Sequence, residues 1–238
     1  MAIIGIQGLR GGTGATSITA GLAWSLQHLD ESVLVIDGSP DNMLRLFFNV
    51  DFKHTDGWAR AIMANEHWAQ TAWRYTEHLH VLPFGQYTEC SGFGTLADLA
   101  VGMLKQLRER GVWRWILIDL PATNDPLTRA LAQQVDACLM VINPDMNCHV
   151  RLHQQPVPQG ARLLVNNLLV ASQLQDDIWQ MWLHSQLALV PLVIHRDEAM
   201  AESLAAKQPV GEFRADALAS EELNTLASWC LLNFAEQR

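Results

Sequence analysis

The chain has 238 residues, 49% of them apolar, and a formal net charge of −9. Its length suits one large α/β domain with a sizeable core. The acidic balance argues against nonspecific nucleic-acid binding, which depends on Lys and Arg neutralising phosphates. Only three lysines occur, Lys53, Lys105 and Lys207, and none lies near the glycine-rich segment close to the start. Phosphate charge at that segment must therefore be met by backbone amides, arginine or metal. Cys90, Cys138, Cys148 and Cys230 follow no metal-ligand spacing and are expected to be reduced thiols. The opening "MAIIGIQG" has no basic region or cleavage site, so it reads as a strand and not a signal peptide. No stretch approaches the ~20 apolar residues of a membrane span, and a cytoplasmic protein is expected.

In chain order, seven short apolar runs mark strands: "AIIGIQ", "VLVID", "LHVLPF", "WILIDL", "CLMVIN", "RLLVN" and "LVPLVI". Each fits a strand buried on both faces, as in a parallel sheet. Helical spacing fills most of the intervals. Ile18, Leu22, Leu26 and Leu29 form one stripe, and Leu96, Leu99, Met103, Leu104 and Leu107 form another. The alternation predicts a mostly parallel central sheet of about seven strands covered by helices on both faces. No linker, repeat or low-complexity segment divides the chain, so residues 1–238 are read as one domain.

"GLRGGTGATS", Gly8 to Ser17, lies between the first strand and a helix beginning near Ala15. That strand–loop–helix order is the context a phosphate-binding loop requires. Gly11, Gly12 and Gly14 let the backbone approach an anion closely, with amides at the helix N-terminus pointing inward. Thr16 or Ser17 would offer a hydroxyl to Mg²⁺. Asp37, in "VLVIDGSPDN", and Asp119, in "WILIDLP", each end a strand, where a buried carboxylate is costly without a metal, water or donor. Either alone reads as a helix N-cap. Together, beside a glycine loop, they read as a Mg²⁺–phosphate site.

"RGGTGATS", "VLVIDGSP" and "WILIDLP" resemble the deviant Walker A, A′ and Walker B motifs of the MinD/ParA family of P-loop ATPases. "RLLVNN" resembles that family's strand ending in an adenine-contacting Asn, here Asn166 or Asn167. "VIHRDEAMAESLAAKQPV" resembles a later family stretch, with His195 where proline is usual. Within the family, "NVDFKHTDGWARA", "NCHVRLHQQ" and "HRDEAMAESLAAKQPVGEFR" look like the BcsQ branch, which serves bacterial cellulose biosynthesis.

The resemblance implies a single-domain P-loop NTPase that binds ATP or ADP with Mg²⁺ through Arg10, Gly11, Gly12, Thr13, Gly14, Ala15, Thr16 and Ser17. Thr16, Asp37 and Asp119 serve the metal, and Asp37 also organises water. The family binds ATP between two facing subunits, and Arg10 corresponds to the signature lysine that reaches across. The usual Walker lysine corresponds to Ala15, and the second acid of the A′ motif to Ser39. These losses imply slow or absent hydrolysis. The implied partners are a second copy, a small companion protein and inner-membrane cellulose synthase components. Its rivals are an actively cycling ATPase, a partition-type DNA-associated ATPase, and a P-loop ligase or kinase.

Three features outside the loop have plainer readings. His149 and His153 stand one helical turn apart beside Cys148, a spacing that can hold metal, but no third ligand accompanies them, so a surface or packing role is expected. The tryptophans read mostly as core, with residues 58–75 as a possible docking face. The C-terminal "ALASEELNTLASWCLLNF" is amphipathic and carries Glu221 and Glu222, with no basic residue before Arg238. It is expected to pack on the domain, leaving any contact with the inner membrane to partner proteins.

Overall fold

In the computed structural model, which describes residues 1–87 and 92–235, all seven apolar runs form strands. They are β1 (Ala2–Gly8), β2 (Val33–Asp37), β4 (Leu79–Leu82), β5 (Trp115–Leu120), β6 (Ala137–Ile142), β7 (Arg162–Leu168) and β8 (Leu189–His195). The sheet has eight strands, not seven, in the order β3-β4-β2-β5-β1-β6-β7-β8. The addition is β3 (Trp73–Arg74), two exposed residues antiparallel to β4 at one edge. Its own residues carry no apolar run, and its pairing is imposed by β4. Every other pairing is parallel.

The helices are α1 (Ala15–His28), α2 (Trp58–Met63), α3 (Phe93–Arg110), α4 (Pro126–Ala132) and α5 (Met146–Gln154), followed by α6 (Gln173–Leu183), α7 (Glu198–Ala206), α8 (Val210–Phe213) and α9 (Leu218–Phe234). Alternating strand residues face opposite sides. Ile4, Ile6, Val33, Val35, Leu117 and Val141 pack with α1, α7, α8 and α9. Ile3, Leu34, Ile36, Ile116 and Ile118 pack with α2, α3 and α4, while Met140, Ile142, Leu163 and Val165 meet α5 and α6. Central strands β2 and β5 are buried throughout. β8, at the other edge, is only half-buried, with Pro191 exposed.

Two stripe residues depart from the expected pattern. Leu29 caps α1 and is 43% exposed, and Leu99 turns outward from α3 at 45%. The remaining stripe positions are buried. The C-terminal helix packs as expected: Leu223, Leu226, Ala227, Cys230 and Phe234 enter the core beside α1. Cys138, Cys148 and Cys230 are free thiols; Cys90 and Arg238 lie outside the described residues. Among the described residues no helix is long and apolar enough to cross a membrane.

Trp58, Trp115 and Trp182 are fully or nearly fully buried, and Trp68 is 8% exposed. Of the tryptophans in residues 58–75, Trp73 is the exposed one, at 43%. The buried indoles place their N–H groups on specific acceptors. Trp58 Nε1 donates to the Asp37 carbonyl at 2.8 Å, and Trp115 Nε1 to Glu31 Oε2 at 2.9 Å.

Two stability predictions follow from this packing. Trp58→Phe leaves the buried Asp37 carbonyl without its donor, so unfolding free energy should fall by about 1–3 kcal/mol in denaturant titration. Asp125 caps α4, with Oδ1 accepting from Thr128 N at 3.0 Å and Oδ2 from the Thr128 and Thr123 hydroxyls at 2.7 and 2.6 Å. Burial acts to raise its pKa, but these hydrogen bonds outweigh it and hold the carboxyl below its ordinary value. A lowered folded pKa stabilises above the unfolded value and is lost as pH falls through the folded one. Asp125→Ala should therefore cost ~1 kcal/mol at pH 7, and its deficit against wild type should shrink under acid.

Candidate phosphate and metal site

Five strands of the parallel sheet deliver the predicted residues to one edge. β1 runs into the glycine loop, β2 and β5 carry Asp37 and Asp119, β7 carries Asn166 and Asn167, and β8 ends at His195. This is the carboxyl edge, where open α/β sheets place their ligands.

The loop is shaped by glycine where glycine is needed. Gly12 has φ 76° and Gly14 φ 87°, both left-handed. A Cβ on Gly14 would also stand 2.5 Å from Asn166 Nδ2. At Gly11 a Cβ would meet nothing within 4 Å, so the loop is open on that side. Gly14 is the residue before α1, and no side chain caps this helix end. The first amides of α1 are thus left for a ligand. Thr13 is buried and donates its hydroxyl to Arg10 O at 3.3 Å.

Asp37 and Asp119 are directly paired across the β2–β5 ladder. Both are buried, at 0% and 3% exposure. Neither is the helix N-cap that each would be alone; those positions belong to other residues. Asp37 accepts from Ser39 N at 2.9 Å and from Leu44 N at 3.0 Å. Asp119 Oδ1 faces the Thr19 hydroxyl at 3.5 Å, and the Thr16 hydroxyl acts with it to lower the carboxyl against its burial. Burial pushes Asp37 up to about 7, against the opposing pull of those amides and of Arg45. Burial and the Asp37 charge push Asp119 well above its ordinary value. The nearby Arg45 guanidinium is directed elsewhere, donating to the carbonyls of Asn42, Asp51 and Phe52.

Two buried acids that resist ionising together are a poor resting arrangement and a good seat for a divalent cation. No cluster of three or more His, Cys, Asp or Glu side chains is present among the described residues. Two carboxylates and the Thr16 hydroxyl are hard oxygen donors of the kind Mg²⁺ takes beside waters and phosphate oxygens. His149 serves packing: its Nδ1 accepts from Trp182 Nε1 at 3.1 Å, and its ring lies 4.8 Å from that of His153.

Cavities flank the loop. One, of about 420 Å³, is lined by Arg10 through Thr16 together with Ser39, Asp41 and Asp119. The other, of about 390 Å³, shares Gly12, Thr13 and Gly14 and extends to Ser17, Asn166, Asn167 and His195. The adjacent asparagines have different surroundings. Asn166 Nδ2 donates to Thr13 O at 2.8 Å and ties the loop to β7. Asn167 sits at φ 62°, left-handed, on the cavity wall.

Within the chain, Arg10 is paired at the edge of the loop. Nη2 meets Asp145 Oδ2 at 2.5 Å and Nη1 donates to Gly11 O at 2.8 Å. Asp145 also caps α5 through Cys148 N at 2.8 Å. Burial acts to raise the Asp145 carboxyl, and the hydrogen bonds from Cys148 and Arg10 bring it below its ordinary range. Sequence reading missed Asp145. Its place before "MNCH" is an N-cap signal, but nothing local announces a partner 135 residues away.

The family model for cellulose biosynthesis protein BcsQ matches residues 1–231. The curated BcsQ of Escherichia coli K12 is 55% identical over 99% of this chain and 96% of its own length. Among solved structures, the septum site-determining protein MinD of Pyrococcus horikoshii, complexed with Mg-ADP, superposes with a TM-score of 0.76 at 19% identity, covering 100% of this chain and 99% of that one. A ParA family ATPase from Chlorobium tepidum reaches 0.73 at 19% identity over 95% and 98%. With glycine loop, paired acids and sheet order all in place, and a curated relative matched over 96% of its length, the chain belongs to the BcsQ family of cellulose biosynthesis proteins, built on the MinD/ParA P-loop fold.

Proposed function

We propose that this protein binds ATP with Mg²⁺, that the nucleotide joins two copies face to face, and that the loaded dimer regulates or helps assemble the bacterial cellulose synthase secretion complex with slow or absent hydrolysis. The observation that carries the reading is the buried Asp37–Asp119 pair directly beside an uncapped glycine loop. The loop amides would hold phosphate, and Thr16, Asp37 and Asp119 would hold the metal, which supplies charge neutralisation when bound. A MinD solved with Mg-ADP supports the same ligand class here. Recruitment to the cytoplasmic face of the inner membrane would run through a small companion protein and synthase components.

Slow chemistry follows from what the site lacks. Ala15 brings no cation to the phosphates, and Ser39 brings no carboxylate to the attacking water. The Ser39 hydroxyl already accepts from Asp41 N at 3.3 Å. A cation acting on transition-state charge supplies on the order of 10³-fold or more in phosphoryl transfer, whereas ground-state binding keeps the amides and the metal. Arg10 is the remaining cation of the loop. Its pairing with Asp145 is partly exposed, at 24% and 33%, so exchanging it for a phosphate on a second subunit costs little. One observation favours a cycling ATPase instead: Asp41 is exposed in the same cavity as Ser39.

Purified protein given ATP and Mg²⁺ should retain nucleotide, double in solution mass and release phosphate at near-background rate. Arg10→Ala should keep nucleotide but stay monomeric, and a fully dimeric variant removes Arg10 from the cross-subunit contact. Phosphate release on the timescale of minutes that is abolished by Asp41→Asn would establish the cycling reading in its place.

The acid pair gives a second test. A carboxyl whose folded pKa is raised contributes stability below its unfolded pKa, and that stability is lost as pH rises through the folded value, about 7 for Asp37. Removing one charge from the pair should therefore stabilise the ligand-free protein at pH 8. Asp119→Asn is expected to raise its melting temperature by roughly 2–4 °C while weakening Mg²⁺-dependent nucleotide retention. A lowered melting temperature would mean the acids are structural.

A further inference from the structure

The cavity on the β7–β8 side of the loop ends at His195, and the imidazole there is held from behind. Glu222, on α9, takes both polar groups that His195 turns toward it. Its Oε2 accepts the His195 backbone N–H at 2.8 Å, and its Oε1 pairs with the ring Nδ1. His195 and Glu222 are both largely covered, with side chains 26% and 16% exposed. A carboxylate can only accept, so in the neutral ring Nδ1 carries the proton and Nε2 carries the lone pair. Nε2 is the ring's remaining polar atom, on a residue that lines the cavity. The same wall carries Asn167, while Asn166 is occupied by Thr13 O.

We infer that His195 is a base-reading residue, set as a hydrogen-bond acceptor by Glu222, and that it selects purines bearing an exocyclic amine at C6 over those bearing a C6 carbonyl. The inference rests on the nucleotide reading above and adds to it the part of the ligand that His195 meets. An amine at C6 donates to Nε2. A carbonyl at C6 presents a second acceptor to it, leaving two lone pairs opposed in a partly desolvated site, which selection of this kind turns into discrimination. Glu222 acts through His195 and is a positioning residue. It also makes the C-terminal helix part of the nucleotide site, since α9 packs on α1, the helix that begins at the loop.

Glu222→Gln separates positioning from mere support. With the amide oxygen kept on the His195 backbone N–H, where Glu222 Oε2 sits in the wild type, the amide nitrogen faces Nδ1. Nδ1 must then accept, and the ring proton moves to Nε2. The cavity would now present a donor, and preference should swing toward the carbonyl base. His195→Phe keeps an aromatic ring and removes both nitrogens, so preference should vanish.

The measurement is equilibrium binding of Mg-ADP and Mg-IDP at pH 8 to the full chain, with melting curves to confirm that each variant is folded. Wild type should favour ADP by about tenfold, the value of one well-placed hydrogen bond. Glu222→Gln should lower the ADP:IDP ratio below that of His195→Phe, whose ratio should be near one. If folded variants bind nucleotide with the wild-type ratio, His195 does not read the base and this inference falls while nucleotide binding stands. If wild type retains neither nucleotide, the proposed function falls with it.

Discussion

The parallel pairing of β2 with β5 ends by setting Asp37 beside Asp119, and the rest of the site is arranged around that juxtaposition. Both strands are buried along their whole length, so their register is fixed by apolar residues on both faces. A slip of one residue would carry the acids to the other side of the sheet and bury polar groups among α2, α3 and α4. The core therefore positions the two carboxylates, and it does so at a cost in charge burial that packing must offset. Trp58 and Leu44 help hold the end of β2, the one by donating to the Asp37 carbonyl and the other by presenting its amide to the carboxylate. Arg45 stands close enough to lower the Asp37 carboxyl, yet its hydrogen bonds go to three backbone carbonyls. Its effect on the acids is long-range and incomplete, which leaves charge for a ligand to neutralise.

The glycine loop answers the opposite need. Negative phosphate requires donors that hold still, and the αL turns at Gly12 and Gly14 aim backbone amides without a flexible side chain. Asn166 fastens this loop to β7 through Thr13 O, and Leu9 N fastens it to β6 through Val141 O at 3.0 Å. The loop is thus tied on two sides to strands of the sheet, one of which, β7, also carries Asn166 and Asn167. Rigidity of this kind lowers the ordering cost of binding.

Much of this was legible in the sequence because its causes are local. The seven long strands are apolar runs bounded by turns and acids, and buried strands in a parallel sheet need nothing subtler. The loop was legible as glycines in strand–loop–helix context. What escaped has long-range causes. β3 exists because β4 offers an edge, and Trp73–Arg74 has no pattern of its own. Leu29 and Leu99 continue a helical period past the point where the helix, or its covered face, ends. Asp145 and Glu222 look like a cap and a surface acid until folding brings Arg10 and His195 to them, across separations of 135 and 27 residues.

The first of those distant contacts, Arg10 with Asp145, divides the electrostatic groups of the site into two parts. The fixed part is the loop amides and the buried Asp37–Asp119 pair. The other part is Arg10, whose partly exposed guanidinium is paired with Asp145. A lysine at position 15 would have joined the fixed part and supplied transition-state charge from within the same chain. With alanine there, the only loop cation is one that must leave an intramolecular partner to act. On the proposed reading such a division suits sensing better than turnover, because Ala15 and Ser39 bring neither a cation nor a second acid to the loop. Glu222 behind His195 brings the C-terminal helix into the same edge of the sheet, where its contacts with the His195 backbone N–H and ring Nδ1 tie α9 to the cavity beside the loop.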